Sequence, residues 1–158
     1  MSFVRKKVVI DSNILVSAAI YPNSASANAL RLAVMFCELY RSDETTAEIE
    51  QVLLRTKFDR YFAAGGPSRE DFLTIYKAAT VLEPITEIAT DCSDPKDNKF
   101  LSLALSVKAD FLVTSDRKHL IPMHPWYSDC FGSGFCASDI ERFGVKRCSQ
   151  DLNILCFS

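Results

Sequence analysis

Two short stretches are apolar without a break: 8–10, which runs into Asp11, and 111–113, which runs into Thr114, Ser115 and Asp116. An uninterrupted run of this length suits a strand covered on both faces, as in a parallel sheet between helices. Between the two runs the period lengthens to that of a helix. Ala29, Leu32, Ala33 and Phe36 stand at i, i+3, i+4 and i+7, as do Phe72, Ile75, Tyr76 and Ala79, and again Phe100, Leu103, Ala104 and Val107. Ile49, Val52 and Leu53 mark a shorter stripe, and further strands are expected near 39–41, 81–83 and 130–136. Ser68 with Asp71 and Thr45 with Glu48 read as capping boxes, and Asp94-Pro95 reads as an N-cap followed by proline at the first helical position. Gly65, Gly66 and Pro67 break the chain before the Ser68 cap. The alternation of strands and helices predicts a doubly wound α/β sandwich.

Composition narrows the class. The chain has 158 residues, 48% of them hydrophobic, with 18 Lys+Arg against 20 Asp+Glu. That describes one globular domain and excludes disordered and fibrous classes. A net charge of −2 argues against a tight, sequence-independent polyanion binder, so a nucleic-acid partner has to be held by a local patch. The apolar run after the cationic Arg5, Lys6 and Lys7 is too short for a signal peptide or a membrane span. A cytoplasmic location with the six cysteines reduced is therefore expected. There is no Cys-x-x-Cys pair, and the later cysteines with His119 or His124 match no common zinc module.

The candidate chemistry is carried by carboxylates. In an open parallel sheet, ligands bind beyond the carboxyl ends of the strands. Asp11 and Asp116 follow two such ends, and Glu48, Asp94 and Asp97 stand near the starts of intervening helices. Singly, each has an ordinary explanation: Glu48 as a capping-box acid, Asp94 as an N-cap, Asp97 as a first-turn acid, Asp11 and Asp116 as the starts of helical turns. Together, four carboxylates at one edge repel one another unless a cation sits among them. An all-oxygen set suits Mg²⁺ or Mn²⁺ better than zinc. Such an ion activates a water and stabilises displacement at a phosphodiester. Asn13 and Ser115 flank the strand-end acids, either as plain turn residues or as hydrogen-bonding supports for them.

These segments resemble a PIN domain, the metal-dependent ribonuclease fold found in many prokaryotic toxin components. The resemblance is carried by residues 8–18 (VVIDSNILVSA), 46–53 (TAEIEQVL), 94–101 (DPKDNKFL) and 109–116 (ADFLVTSD), and covers about residues 8–120. It implies a three-layer α/β/α sandwich around a parallel sheet of about five strands. It also implies that Asp11, Glu48, Asp97 and Asp116 form the acidic quartet around a Mg²⁺ or Mn²⁺ ion, with Asp94 as helix cap or supporting residue and Asn13 at the small polar position after the first acid. Ser12 and Ser115 stand where relatives often carry Thr and Gly or Asn. Residues 1–144 are expected to form the single domain, with a strand-to-helix ending at 136–143. The tail, 145–158, has no counterpart, and its Leu152, Ile154, Leu155, Cys156 and Phe157 are free to pack on the domain, join a dimer or meet a partner.

The activity that the resemblance implies is that of a metal-dependent endoribonuclease acting on RNA, the toxin half of a toxin–antitoxin pair, blocked by an antitoxin protein. A homodimer is the expected assembly. Lys96 and Arg117, beside the acids, lead the candidates for holding phosphates, ahead of Arg55, Lys57, Arg60, Lys99 and Lys118. Tyr61, Phe62 and Trp126 are candidates for stacking on bases, against core burial as the default. The rival readings are a PIN-like module that binds RNA or protein without cutting, and an aspartyl phosphatase or phosphoacceptor. The second is weakened because position 13, where an aspartate-nucleophile phosphatase wants another acid, is asparagine. No Gly-x-Gly-x-x-Gly follows the first strand, which argues against dinucleotide binding.

Overall fold

The computed structural model describes residues 4–62, 65, 67–90 and 98–114, with the backbone of 127–129 and 153–157. Strand β1 (Lys7–Ile10) leads into helix α1 (Ser12–Ile20), followed by α2 (Ala25–Phe36), β2 (Glu38–Arg41) and α3 (Asp43–Leu53). A 3₁₀ turn (Thr56–Phe58), α4 (Asp59–Phe62), α5 (Arg69–Ala79) and β3 (Val81–Leu82) come next. Helix α6 (Asn98–Val107), β4 (Phe111–Thr114), β5 (Tyr127–Asp129) and β6 (Asn153–Phe157) complete the order.

The sheet runs β3-β2-β1-β4-β6-β5. Its first four strands are parallel, with Val9 beside Tyr40 on one side and Leu112 on the other. Strand β6 pairs antiparallel with β4, Thr114 opposite Asn153, and β5 pairs antiparallel with β6. The backbone of 153–157, inside the segment read from sequence as a tail, thus joins the sheet. The strand expected at 130–136 and the strand-to-helix ending at 136–143 lie outside the described residues.

The unbroken apolar runs are explained by two cores, one on each face. Val9, Tyr40 and Leu112 point into a cluster with Phe100, Leu101, Leu103, Ala104 and Val107 of α6. Val8, Ile10, Leu39 and Val113 point the other way, onto Ile14, Leu15 and Val16 of α1, Ala33 of α2, Ile49 and Leu53 of α3 and Tyr76 of α5. Successive residues of one strand feed opposite layers, so polar positions have no place in it. The result is a three-layer α/β/α sandwich. The helical stripes are buried on α6 throughout, but on α5 Ile75 is 66% exposed, and Phe36 at the end of α2 is 41% exposed. Among the described residues no helix is long and apolar enough to cross a membrane.

Two helix starts bear on the site. The Ser68–Asp71 capping box is present as expected. The Thr45–Glu48 box is not: α3 begins earlier, with Ser42 as N-cap in a box with Thr45. Ser42 directly follows β2, and the helix starts as soon as the strand ends, which moves Glu48 out of the first turn. Ser42 is fully buried. Its Oγ accepts from the Thr45 N–H at 3.2 Å, its N–H donates to Thr45 Oγ1 at 2.9 Å, and its carbonyl accepts from Thr46 Oγ1 at 2.6 Å. Ser42→Ala would strand the Thr45 N–H in a dry site, at an expected loss of about 1–2 kcal/mol of stability. A urea melt reads this as a lower midpoint at unchanged slope.

Candidate functional site

Asp11 stands where β1 becomes α1, at the carboxyl edge of the sheet. Its backbone N–H donates to the Val113 carbonyl at 3.0 Å, extending the β1–β4 ladder by one step. Its side chain then turns back as the N-cap of α1, with Oδ1 accepting from the Asn13 N–H at 2.5 Å. The hydroxyl of Thr114, the last residue of β4, donates to Oδ2. The carboxylate is therefore oriented from the first turn of α1 and from the end of β4, in a residue only 3% exposed. The ordinary reading of Asp11 as a helix start is correct, and it is also the device that aims the group.

Glu48 sits in the second turn of α3. Ser12, directly after Asp11, donates its Oγ proton to Glu48 Oε1 at 2.7 Å. The ammonium of Lys99, on the first turn of α6, pairs with Oε2. Glu48 is thus tied to α1 and α6 at once, and no helix-capping role competes for it. One turn earlier on α3, the Glu44 carboxyl is held below its ordinary range by hydrogen bonds from its own backbone N–H and the Ser42 hydroxyl, and further by the charge of Lys99.

Asn13 contributes its backbone N–H, while the residue itself is exposed. Asp94, Lys96, Asp97, Ser115, Asp116 and Arg117 lie outside the described residues. Among the described residues no group of three or more His, Cys, Asp or Glu side chains is placed to hold a metal ion. The two described acids nonetheless suit a hard divalent ion. Both offer only oxygen, and a cation, the Lys99 ammonium, already stands against one of them.

The second group of candidates forms a separate cluster. Tyr21 and Tyr61 meet edge to face with ring centroids 5.4 Å apart and hydroxyls at 2.9 Å. The Arg60 guanidinium lies 4.7 Å from the Tyr61 ring and donates to its hydroxyl at 2.7 Å. Lys57 covers Phe58 at 4.8 Å, and Arg69 covers Phe62 at 4.7 Å. Tyr21 follows the last residue of α1, so about 13 Å of helix separates this cluster from Asp11.

Sequence reasoning missed the supporting residues. By sequence alone Ser12 and Thr114 are motif and strand-end residues, and Lys99 is one phosphate-holding candidate among several. Their partners are far away in the chain, so no local spacing announces them.

A family model described as PIN domain matches residues 7–118, a span that contains all four carboxylates of the expected quartet. An uncharacterized protein from Methanocaldococcus jannaschii is 30% identical over 120 residues, covering 74% of this chain and 75% of its own. Among solved structures, a chain of VapBC2 from Rickettsia felis bound to a DNA fragment from their promoter aligns with a TM-score of 0.49 and 18% identity, covering 71% of this chain and 89% of that one.

Proposed function

The chain belongs to the PIN domain family, and from that premise we propose that it is a metal-dependent endoribonuclease whose Asp11, Glu48, Asp97 and Asp116 hold one or two Mg²⁺ or Mn²⁺ ions. The observation that carries the reading is the convergence on Glu48 and Asp11. Ser12 and Lys99 both meet Glu48, and Thr114 meets Asp11. Asp97 is two residues from Lys99 and Asp116 two residues from Thr114. A chain spans at most about 7 Å in two residues. In this reading the two remaining acids share the sheet edge with the described pair, and four carboxylates at one edge call for a cation.

Each residue has a definable task in this reading. Asp11, clamped by the Asn13 N–H and the Thr114 hydroxyl, presents a carboxylate that has little freedom left to lose on binding. Glu48, steadied by Ser12, supplies a second negative group on the opposite element. Asp97 and Asp116 would complete the set, with Asp94, Ser115 and Asn13 as the residues that support them. Lys96 and Arg117 would hold the flanking phosphates of the RNA strand. The bound ion supplies water activation and charge neutralisation at the phosphorus.

The experiment is cleavage of a mixed single-stranded RNA by the purified protein with Mg²⁺, with Mn²⁺ and with EDTA. Cutting with either ion and none in EDTA is the expected result. RNA retained on the protein but uncut in every metal would instead assign the non-catalytic binding module. The reading extends to a toxin half of a toxin–antitoxin pair in a homodimeric, cytoplasmic protein, a role that rests on the family resemblance and on the commonness of two-fold assemblies. Co-expression with the neighbouring reading frame, followed by co-purification and loss of RNA cleavage in the complex, tests it.

A further inference from the structure

Lys99 and Glu48 form the most enclosed ion pair among the described residues, with side chains 30% and 18% exposed. The other lysine pair on α3, Lys77 with Glu50, is open by comparison at 42% and 39%. The difference is in the surroundings as well. Glu50 has no second described partner, whereas Glu48 also accepts from Ser12 at 2.7 Å, so each of its oxygens already faces a donor. A carboxylate that has lost most of its water depends on the donors set against it, because removing one leaves a charge without a partner.

Resting on the metal-dependent reading above, we propose that Lys99 is a built-in counter-ion for Glu48, occupying this carboxylate in place of a divalent cation and thereby weakening the chain's affinity for one. Lys99 and a divalent ion compete for the same oxygens. An ammonium in contact with Oε2 repels a second cation brought to that carboxylate, and the repulsion is poorly screened in a site this enclosed. Loading Glu48 with metal therefore requires Lys99 to withdraw, and Lys99 is a positioning residue that acts through Glu48. Its four-carbon stem and single-point charge suit withdrawal better than the planar fork of an arginine would. Ser12 fixes one oxygen of Glu48 and Lys99 the other.

The test is a calorimetric titration with Mn²⁺ of the full chain and of Lys99→Met, Lys99→Gln, Lys77→Met, Glu48→Gln and the double variant Glu48→Gln/Lys99→Met, each checked by circular dichroism. Lys99→Met should bind Mn²⁺ about tenfold more tightly than the natural chain, the scale of removing one charge from a partly buried site. Lys77→Met removes the same charge from the open pair and should leave the affinity unchanged. In the double variant the gain should vanish relative to Glu48→Gln, because Lys99 acts only through that carboxylate. If Lys99→Met does not fold, Lys99→Gln answers the same question with a polar side chain of similar reach. Equal or weaker Mn²⁺ binding without Lys99, while the natural chain binds, overturns the proposal and leaves Lys99 as a staple between α3 and α6. The same gain in the Glu48→Gln background also overturns it. Absence of Mn²⁺ binding in every chain, the natural one included, removes the metal-dependent reading itself and the proposal with it.

Discussion

Asp11→Asn is expected to abolish RNA cleavage in a protein that still folds, with a loss on the order of 10³-fold, the scale of removing one charged element from a reaction site. The fold survives because the hydrogen bonds can be remade. The amide oxygen of asparagine takes the place of Oδ1 and keeps the Asn13 N–H bond that caps α1. The amide nitrogen then faces Thr114 Oγ1, which donates in the natural protein but can rotate to accept. What cannot be remade is the charge, and a neutral amide is a poor ligand for a hard divalent ion. Asp97→Asn should behave alike, since Asp97 immediately precedes α6, whose first turn reaches Glu48 through Lys99. Turnover measured beside thermal melts separates the two contributions. Full activity in a folded Asp11→Asn variant would remove Asp11 from the site.

Phe100→Ala is expected to cost about 3–5 kcal/mol of folding stability. The ring is 2% exposed and belongs to the cluster that α6 presses onto β1, β2 and β4. Against a total stability of roughly 5–15 kcal/mol for an ordinary domain, that loss leaves much of the chain near its unfolding midpoint. Phe100 follows Lys99, so the same helix turn that anchors the second layer carries the cation held against Glu48. A urea melt reads the loss directly, and Phe100→Leu, which keeps most of the volume, should lose far less. A cost under 1 kcal/mol for the alanine variant would mean that α6 does not dock through this ring.

The failed and successful expectations share one cause. Thr45-x-x-Glu48 and Ser42-x-x-Thr45 are overlapping candidates for one helix start, and local pattern ranks the box with an acid at its fourth position higher. The structure takes the other because β2 ends at Arg41 and Ser42 is the residue available at the junction. That one-turn shift changes Glu48 from a helix-capping acid into a group held by two other helices. Ile75 fits its helical stripe in spacing and is exposed nonetheless, because α5 buries only one narrow line of residues, with Tyr76 at its centre.

Local regularities were legible because they need no partner to be seen. The apolar runs at β1 and β4, the 3.6-residue stripes of α2, α3, α5 and α6, the Ser68 cap and the placing of Asp11 at a strand end all follow from short-range pattern and from the sterics of strand and helix. The family followed from four such segments in a fixed order. Pairings between distant segments became visible only in the folded chain: Ser12 and Lys99 on Glu48, Thr114 on Asp11, and the antiparallel seating of 153–157 beside β4. Periodicity encodes which face of an element is apolar, but the polar partner of a given side chain is set by how the layers stack, and that depends on the packing of both cores at once.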